Sequence, residues 1–254
     1  MADPMHQFKI DTVVQLPVFN LPGIGAVDLS ITNSTFAMMV AAVLIIAFFA
    51  VVTAKPKMVP GRLQVVGEGT FGFIDDLATS IMGPKGRAFF PFILTLFVFI
   101  LALNLLGMFT VFTATSQVAV TATFAALTIL LVIGVGFARN GLGFFKLFAP
   151  SGVPWYLLIL VSPIEFISFL LRPVSLALRL FGNMLGGHVA MKVFAGFVVS
   201  LGAFGLVGIP GAVLAMGGVV ALTALEFLVA ALQAFVFAVL TTVYLNDVVN
   251  LDQH

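Results

Sequence analysis

From Trp155 to Asn246 the sequence is almost continuously apolar, broken only near the stretch SLGAFGLVGIPG at 200–211. A membrane-spanning helix needs about 20 predominantly apolar residues. This stretch therefore reads as two long helices, near 157–199 and 212–246; the alternative division breaks them into extra spans. At ~1.5 Å per residue each exceeds the ~30 Å hydrocarbon thickness, so both are expected to be strongly tilted or bent. The rest of the chain shares this character: 61% of residues are hydrophobic and 8% charged, and the mean hydropathy is +1.23. The expected class is an all-α polytopic membrane protein, a single membrane domain over 1–254.

Three further spans precede the long pair. The first is Asn33–Ala54, with Asn33 or Ser34 as N-cap and Lys55-Pro56-Lys57 as stop. The second and third, about Ala88–Phe109 and Gln117–Ala138, are joined by the uncharged turn TVFTATS and read as a hairpin over 88–138. Between the first and second, residues 62–82 place Leu63, Val66, Phe73, Ile74, Leu77 and Ile81 at helical spacing, with Glu68, Asp75 and Asp76 mostly opposite. That pattern suits an amphipathic helix lying in the membrane interface. Residues 1–32 are polar and proline-bearing and read as a surface tail with one short helix at most. Met1–Ser30 lacks the basic start and apolar block of a secretory signal. The chain has no cysteine, which leaves no disulfide or thiolate metal site.

Lysine and arginine bias the orientation. Lys9 alone precedes the first span, while Lys55, Lys57, Arg62, Lys85 and Arg87 follow it. Arg139 and Lys146 share their side if the second and third spans form a hairpin. Five crossings then put the N-terminus outside and the C-terminus, with Asp247 and Asp252, in the cytoplasm.

Against this background the stretch 162–192 is unusual. It carries Glu165, Arg172, Arg179, His188 and Lys192, plus Asn183. Ionisable groups at membrane depth are costly and commonly mark ion or proton pathways. At roughly 100° per residue, Glu165, Arg172 and Arg179 fall within about 40° on one stripe. Ser175, Gly182 and Gly186 run close to it, and small residues let another helix approach. His188 points about 180° away from Arg179. Read from the residues alone, Arg179 either snorkels, pairs with a carboxylate or serves a transport path. His188 is either a satisfied core histidine or a relay, and Glu226 either a packing contact or its partner. Buried amides such as Asn104 and Asn183 equally suit helix–helix adhesion.

The segment SLALRLFGNMLGGH, 175–188, resembles the signature of subunit a of the F-type ATP synthase, and the opening MHQFKI resembles its alphaproteobacterial versions. The arrangement of His188 and Glu226 looks like the mitochondrial one. The resemblance implies a proton-translocating stator subunit whose last two helices form a tilted hairpin against the c-subunit ring. By the same resemblance Arg179 faces the ring carboxylates, and His188 with Glu226 relays protons in the outer half-channel. Asn104 and Asn183 would line that outer path, Gln233 would orient Arg179, and Glu165 would belong to the inner half-channel. No role is carried over to Arg172 or Lys192. The implied partners are the c-ring, b-type peripheral-stalk subunits, the rest of the synthase, membrane lipid and protons, with no nucleic acid. The implied location is the bacterial inner membrane, or the mitochondrial inner membrane for an organellar chain.

The rival class is a secondary ion transporter, which often shows repeated halves and matching broken helices; neither is visible in this sequence. With three histidines and only His188 in a span, bis-histidine haem ligation within the chain is excluded. No HExxH and no GxxxxGK[ST] segment is present, so nucleotide chemistry is expected on partners and the chain is not expected to be an enzyme by itself. No cofactor or metal is expected.

Overall fold

In the computed structural model, the described residues are 12–15, 19–21, 25–27, 30–54, 57–109, 113–149 and 154–251. Five helices among them are long and apolar enough to cross a membrane. They are α1 (Asn33–Ala54), α3 (Phe90–Phe109), α4 (Val118–Asn140), α5 (Trp155–Gly202) and α6 (Ile209–Val249), with the less apolar α2 (Arg62–Met82) after α1. This is an all-α, multi-pass membrane protein. Lys9, Lys55, Pro56 and Asp252, which enter the expected topology, lie outside the described residues.

The start of α1 follows from its first polar residues. Asn33 Oδ1 accepts the Ser34 N–H at 3.0 Å and Thr32 Oγ1 accepts that of Thr35 at 3.3 Å, so side-chain oxygens satisfy two helix-end donors. Upstream, the described residues form two small antiparallel pairs, and the remainder of 1–29, where the sequence allows a short helix, lies outside the described residues. β1 (Thr12–Val14) pairs with β4 (Ile31–Thr32), and β2 (Phe19–Leu21) with β3 (Gly25–Val27). The β-branched run Thr12-Val13-Val14 suits an extended backbone.

Both long helices are unbroken, against the division into extra spans. Pro163 and Pro173 lie inside α5, where each removes one backbone donor and favours bending rather than termination. With 48 and 41 residues, α5 and α6 run about 72 Å and 61 Å at ~1.5 Å per residue. Each is roughly twice as long as a hydrocarbon core is thick.

The chain gathers into two units, one of residues 1–44, 100–120 and 180–233 and the other of 45–99, 121–179 and 234–254. In the second unit α2 packs through a narrow stripe. Gly67, Ile74, Ala78 and Met82 are buried, while Leu63, Val66 and Phe73 stay exposed. Of the six apolar residues on the face expected to lie in the membrane interface only Ile74 is buried within the protein, and small residues admit the neighbouring helix. A Cβ at Gly67 would lie 2.8 Å from Val52 Cγ1. Gly83, at φ +65°, ends α2 in the left-handed region, its N–H donating to the Thr79 carbonyl.

A 3-10 segment, Gly141–Phe148, follows α4 and inserts Phe144 and Phe148 against Phe169 of α5, at ring separations of 6.2 and 5.5 Å. The C-terminal end of α6 is fastened by side chains from two other elements. Asn140 Nδ2 donates to the Val248 carbonyl at 2.7 Å and Lys85 Nζ to Asn250 Oδ1 at 3.0 Å. A helix end would otherwise leave its last carbonyls unpaired.

Candidate functional site

The first unit collects five of the seven residues singled out in the sequence. Asn104 comes from α3, Asn183 and His188 from α5, and Glu226 and Gln233 from α6. Asn104, His188, Glu226 and Gln233 are all buried, a cost that polar groups bear only when partnered or when their chemistry is needed. Asn104 Nδ2 donates to the Ala230 carbonyl at 3.2 Å, tying α3 to α6. Asn183 Nδ2 donates to Gln233 Oε1 at 3.0 Å, tying α5 to α6.

One helical turn before Ala230 on α6, Glu226 faces His188 of α5. His188 Nδ1 and Glu226 Oε1 are 3.8 Å apart, with side chains 8% and 3% exposed. Neither carboxyl oxygen of Glu226 has a hydrogen-bond partner among the described residues. Space for this carboxyl depends on Gly187, since a Cβ there would lie 2.5 Å from Glu226 Oε1. On its other side the imidazole meets a residue the sequence did not single out. Thr113 Oγ1, in the connection between α3 and α4, lies 2.8 Å from His188 Nε2. The arrangement places an imidazole and a carboxyl, two groups able to exchange a proton, 3.8 Å apart in apolar helices.

The second unit holds Glu165 and Arg179, both on α5. Arg172, to which the sequence assigned no role, bridges two carboxylates. Its Nη2 lies 3.5 Å from Glu165 Oε1 and its Nη1 2.8 Å from Asp247 Oδ2. The guanidinium also lies over the rings of Tyr244 and Phe169, at 5.1 and 5.9 Å, a favourable setting for a planar cation. The seven-residue spacing of Glu165 and Arg172 carried that half of the bridge in the sequence; nothing local pointed to Asp247. Arg179 is exposed along with Ser175, Gly182 and Gly186, and Tyr244 lies within its electrostatic reach. A Cβ at Gly182 or Gly186 would meet nothing within 4 Å.

The model of the family described as ATP synthase A chain matches residues 35–246. The chain belongs to the ATP synthase subunit a family. It is 52% identical over 253 residues to ATP synthase subunit a of Hyphomonas neptunium, covering 99% of this chain and 98% of that one. It is similar also to the proteins of that name from Agrobacterium fabrum, at 51% identity over 98% of each chain, and from Mesorhizobium japonicum, at 50% over 97% of this chain and 96% of that one. The family match takes in α3 to α5 whole and all but the last residues of α6, and so every candidate residue above.

Proposed function

We propose that this member of the subunit a family is the proton-translocating stator subunit of an F-type ATP synthase, exchanging protons with the carboxylates of a c-subunit ring. The observation that carries the reading is the buried His188–Glu226 pair, 3.8 Å apart, with the carboxyl otherwise unpaired among the described residues. Imidazole titrates near neutral pH, and a carboxyl beside it supplies the second station of a relay. Asn104 and Asn183 are the polar lining of this outer path, and Gln233, by the family resemblance, orients Arg179.

Arg179 supplies the permanent cation, since a guanidinium keeps its proton at any accessible pH. Its place on an exposed stripe with Ser175, Gly182 and Gly186 leaves room for a partner helix carrying an acid. A ring carboxyl arriving protonated beside this charge is driven to ionise. Its proton leaves by an inner path on which Glu165 is the acid, with the Arg172–Asp247 bridge holding the mouth. The two paths are offset, because a continuous pore would dissipate the gradient. The lysines and arginines after α1, with Lys85 and Asn140 fastening the end of α6, favour a cytoplasmic C-terminus in a bacterial inner membrane. The chain makes no ATP itself; nucleotide chemistry belongs to the rest of the complex, held to it through the c-ring and b-type stalk subunits.

The test is purification of the tagged full chain from its own membrane. The chain is expected to carry with it a ring of small hairpin proteins and ATPase activity that pumps protons after reconstitution. Recovery as a free-standing transporter, active without such a ring, would contradict the reading.

A further inference from the structure

We infer that Thr113 is a positioning residue that holds neutral His188 as its Nε2–H tautomer and so makes Nδ1, the nitrogen facing Glu226, the one that takes up and releases the proton. The inference rests on the relay reading of His188 and Glu226 and adds which nitrogen does the work.

Thr113 is 2% exposed and its hydroxyl has one proton to give. That proton goes to the Gly107 carbonyl, 3.2 Å away. The same oxygen lies 2.8 Å from His188 Nε2, and with its proton committed it is an acceptor there. Nε2 therefore carries the hydrogen, a tautomer fixed by the network around it. Nδ1 is left with a lone pair, and Glu226 Oε1 lies 3.8 Å from it. Were Nδ1 the protonated nitrogen, a buried carboxylate in front of it would draw it into a charge-assisted bond of about 2.7–2.9 Å. The observed separation is well beyond that.

The surroundings are built to keep Thr113 in place. A Cβ at Gly107 would run into the Thr113 side chain, 2.9 Å from Oγ1, so this glycine lets the threonine sit on the α3 backbone. Ser116 Oγ donates to the Thr113 carbonyl at 2.6 Å, and the Ser116 N–H donates to the same oxygen at 3.1 Å. The arrangement also suits a cycle. When Glu226 passes its proton to Nδ1, the imidazolium keeps the Nε2–H bond to Thr113 unchanged, and loss of the Nδ1 proton restores the starting state. Thr113 need not move in either step. In its absence a buried Nε2–H would lose this acceptor, and the proton would favour Nδ1, where Glu226 can accept it.

The test compares wild type with Thr113→Val, of similar shape but without the hydroxyl, and with Thr113→Ser. The full chain, in lipid bilayers with labelled histidine and with His6→Gln and His254→Gln, leaves His188 as the one histidine signal in solid-state nitrogen and carbon NMR. The expected result is the Nε2–H tautomer in wild type and Thr113→Ser, with a shift toward Nδ1–H in Thr113→Val. Proton transport by the assembled complex should fall about two- to tenfold in Thr113→Val, the net worth of one such hydrogen bond, and recover in Thr113→Ser. An Nδ1–H signal in wild type, or an unchanged tautomer in folded Thr113→Val, would overturn the inference. Neither result would touch the relay reading, which His188→Ala tests separately by loss of transport in the same assembled complex.

Discussion

Arg179→Ala is expected to abolish coupled transport in both directions, ATP-driven pumping and proton-driven synthesis alike, while the complex still assembles. Arg179 is exposed on α5 beside small residues, so its removal opens no cavity in the chain's own core. What disappears is the fixed charge. A cation beside a carboxylate favours its ionised form by roughly ten- to thousandfold, and proton release from the ring should slow by that order. The barrier between the two paths goes with it, so vesicles stripped of the catalytic sector should leak protons passively. Arg179→Lys should fail almost as completely, because a compact ammonium lacks the planar fork and gives up its proton far more readily when desolvated. Fluorescence quenching of a pH dye in inverted vesicles measures the pumping, and the amount of this chain in purified complex measures assembly. Normal coupled transport in an assembled Arg179→Ala complex would sink the assignment.

The second large effect concerns His188 and Glu226. Removing either side chain should lower proton uptake from the outer face by about 10²-fold or more, the usual worth of a positioned acid or base. If the two act as a unit, the losses are not additive. His188→Ala with Glu226→Gln should cost little more than either alone, and the exchange His188→Glu with Glu226→His should recover more transport than either single exchange. The site is tight, since Gly187 lies under the carboxyl, and this limits recovery in the exchanged pair without abolishing it. Rates multiplying independently across the cycle would contradict a coupled pair.

Much of the fold is legible in the residues because span-length apolar runs permit few alternatives. The bounds of α1 follow from the Asn33 cap and the apolar run behind it. α5 and α6 extend a few residues beyond 157–199 and 212–246, since helix ends depend on local capping that hydropathy does not register. The packing stripe of α2 is what the residues did not reveal. Apolar periodicity identifies a core face only where the alternative is water. In a chain bathed in lipid Leu63 and Phe73 can face outward, and packing falls to the small residues Gly67 and Ala78.

Around the candidate site, what short spacing on one helix encodes could be read, such as Glu165 seven residues before Arg172. Thr113 with His188 and Asp247 with Arg172 are each 75 residues apart. Only the packing of separate elements brings such residues together, and neither carries a local signal. Gly187 was visible as one of two adjacent glycines before His188, but its purpose, space for the carboxyl of Glu226, shows only in three dimensions.

The central claim is that protons use two offset paths that meet only through the partner ring, and sided labelling tests it most directly. The chain is naturally free of cysteine, so single cysteines near Glu165, near His188 and near Asn104 report without background from the chain itself. Silver ion, small enough for narrow aqueous cavities, is applied to membranes of defined sidedness and inhibition of transport is followed. Cysteines near Glu165 should be reached from the cytoplasmic face, and those near His188 and Asn104 from the outer face. If both groups reacted from one face only, the offset paths and the assigned orientation would both be wrong.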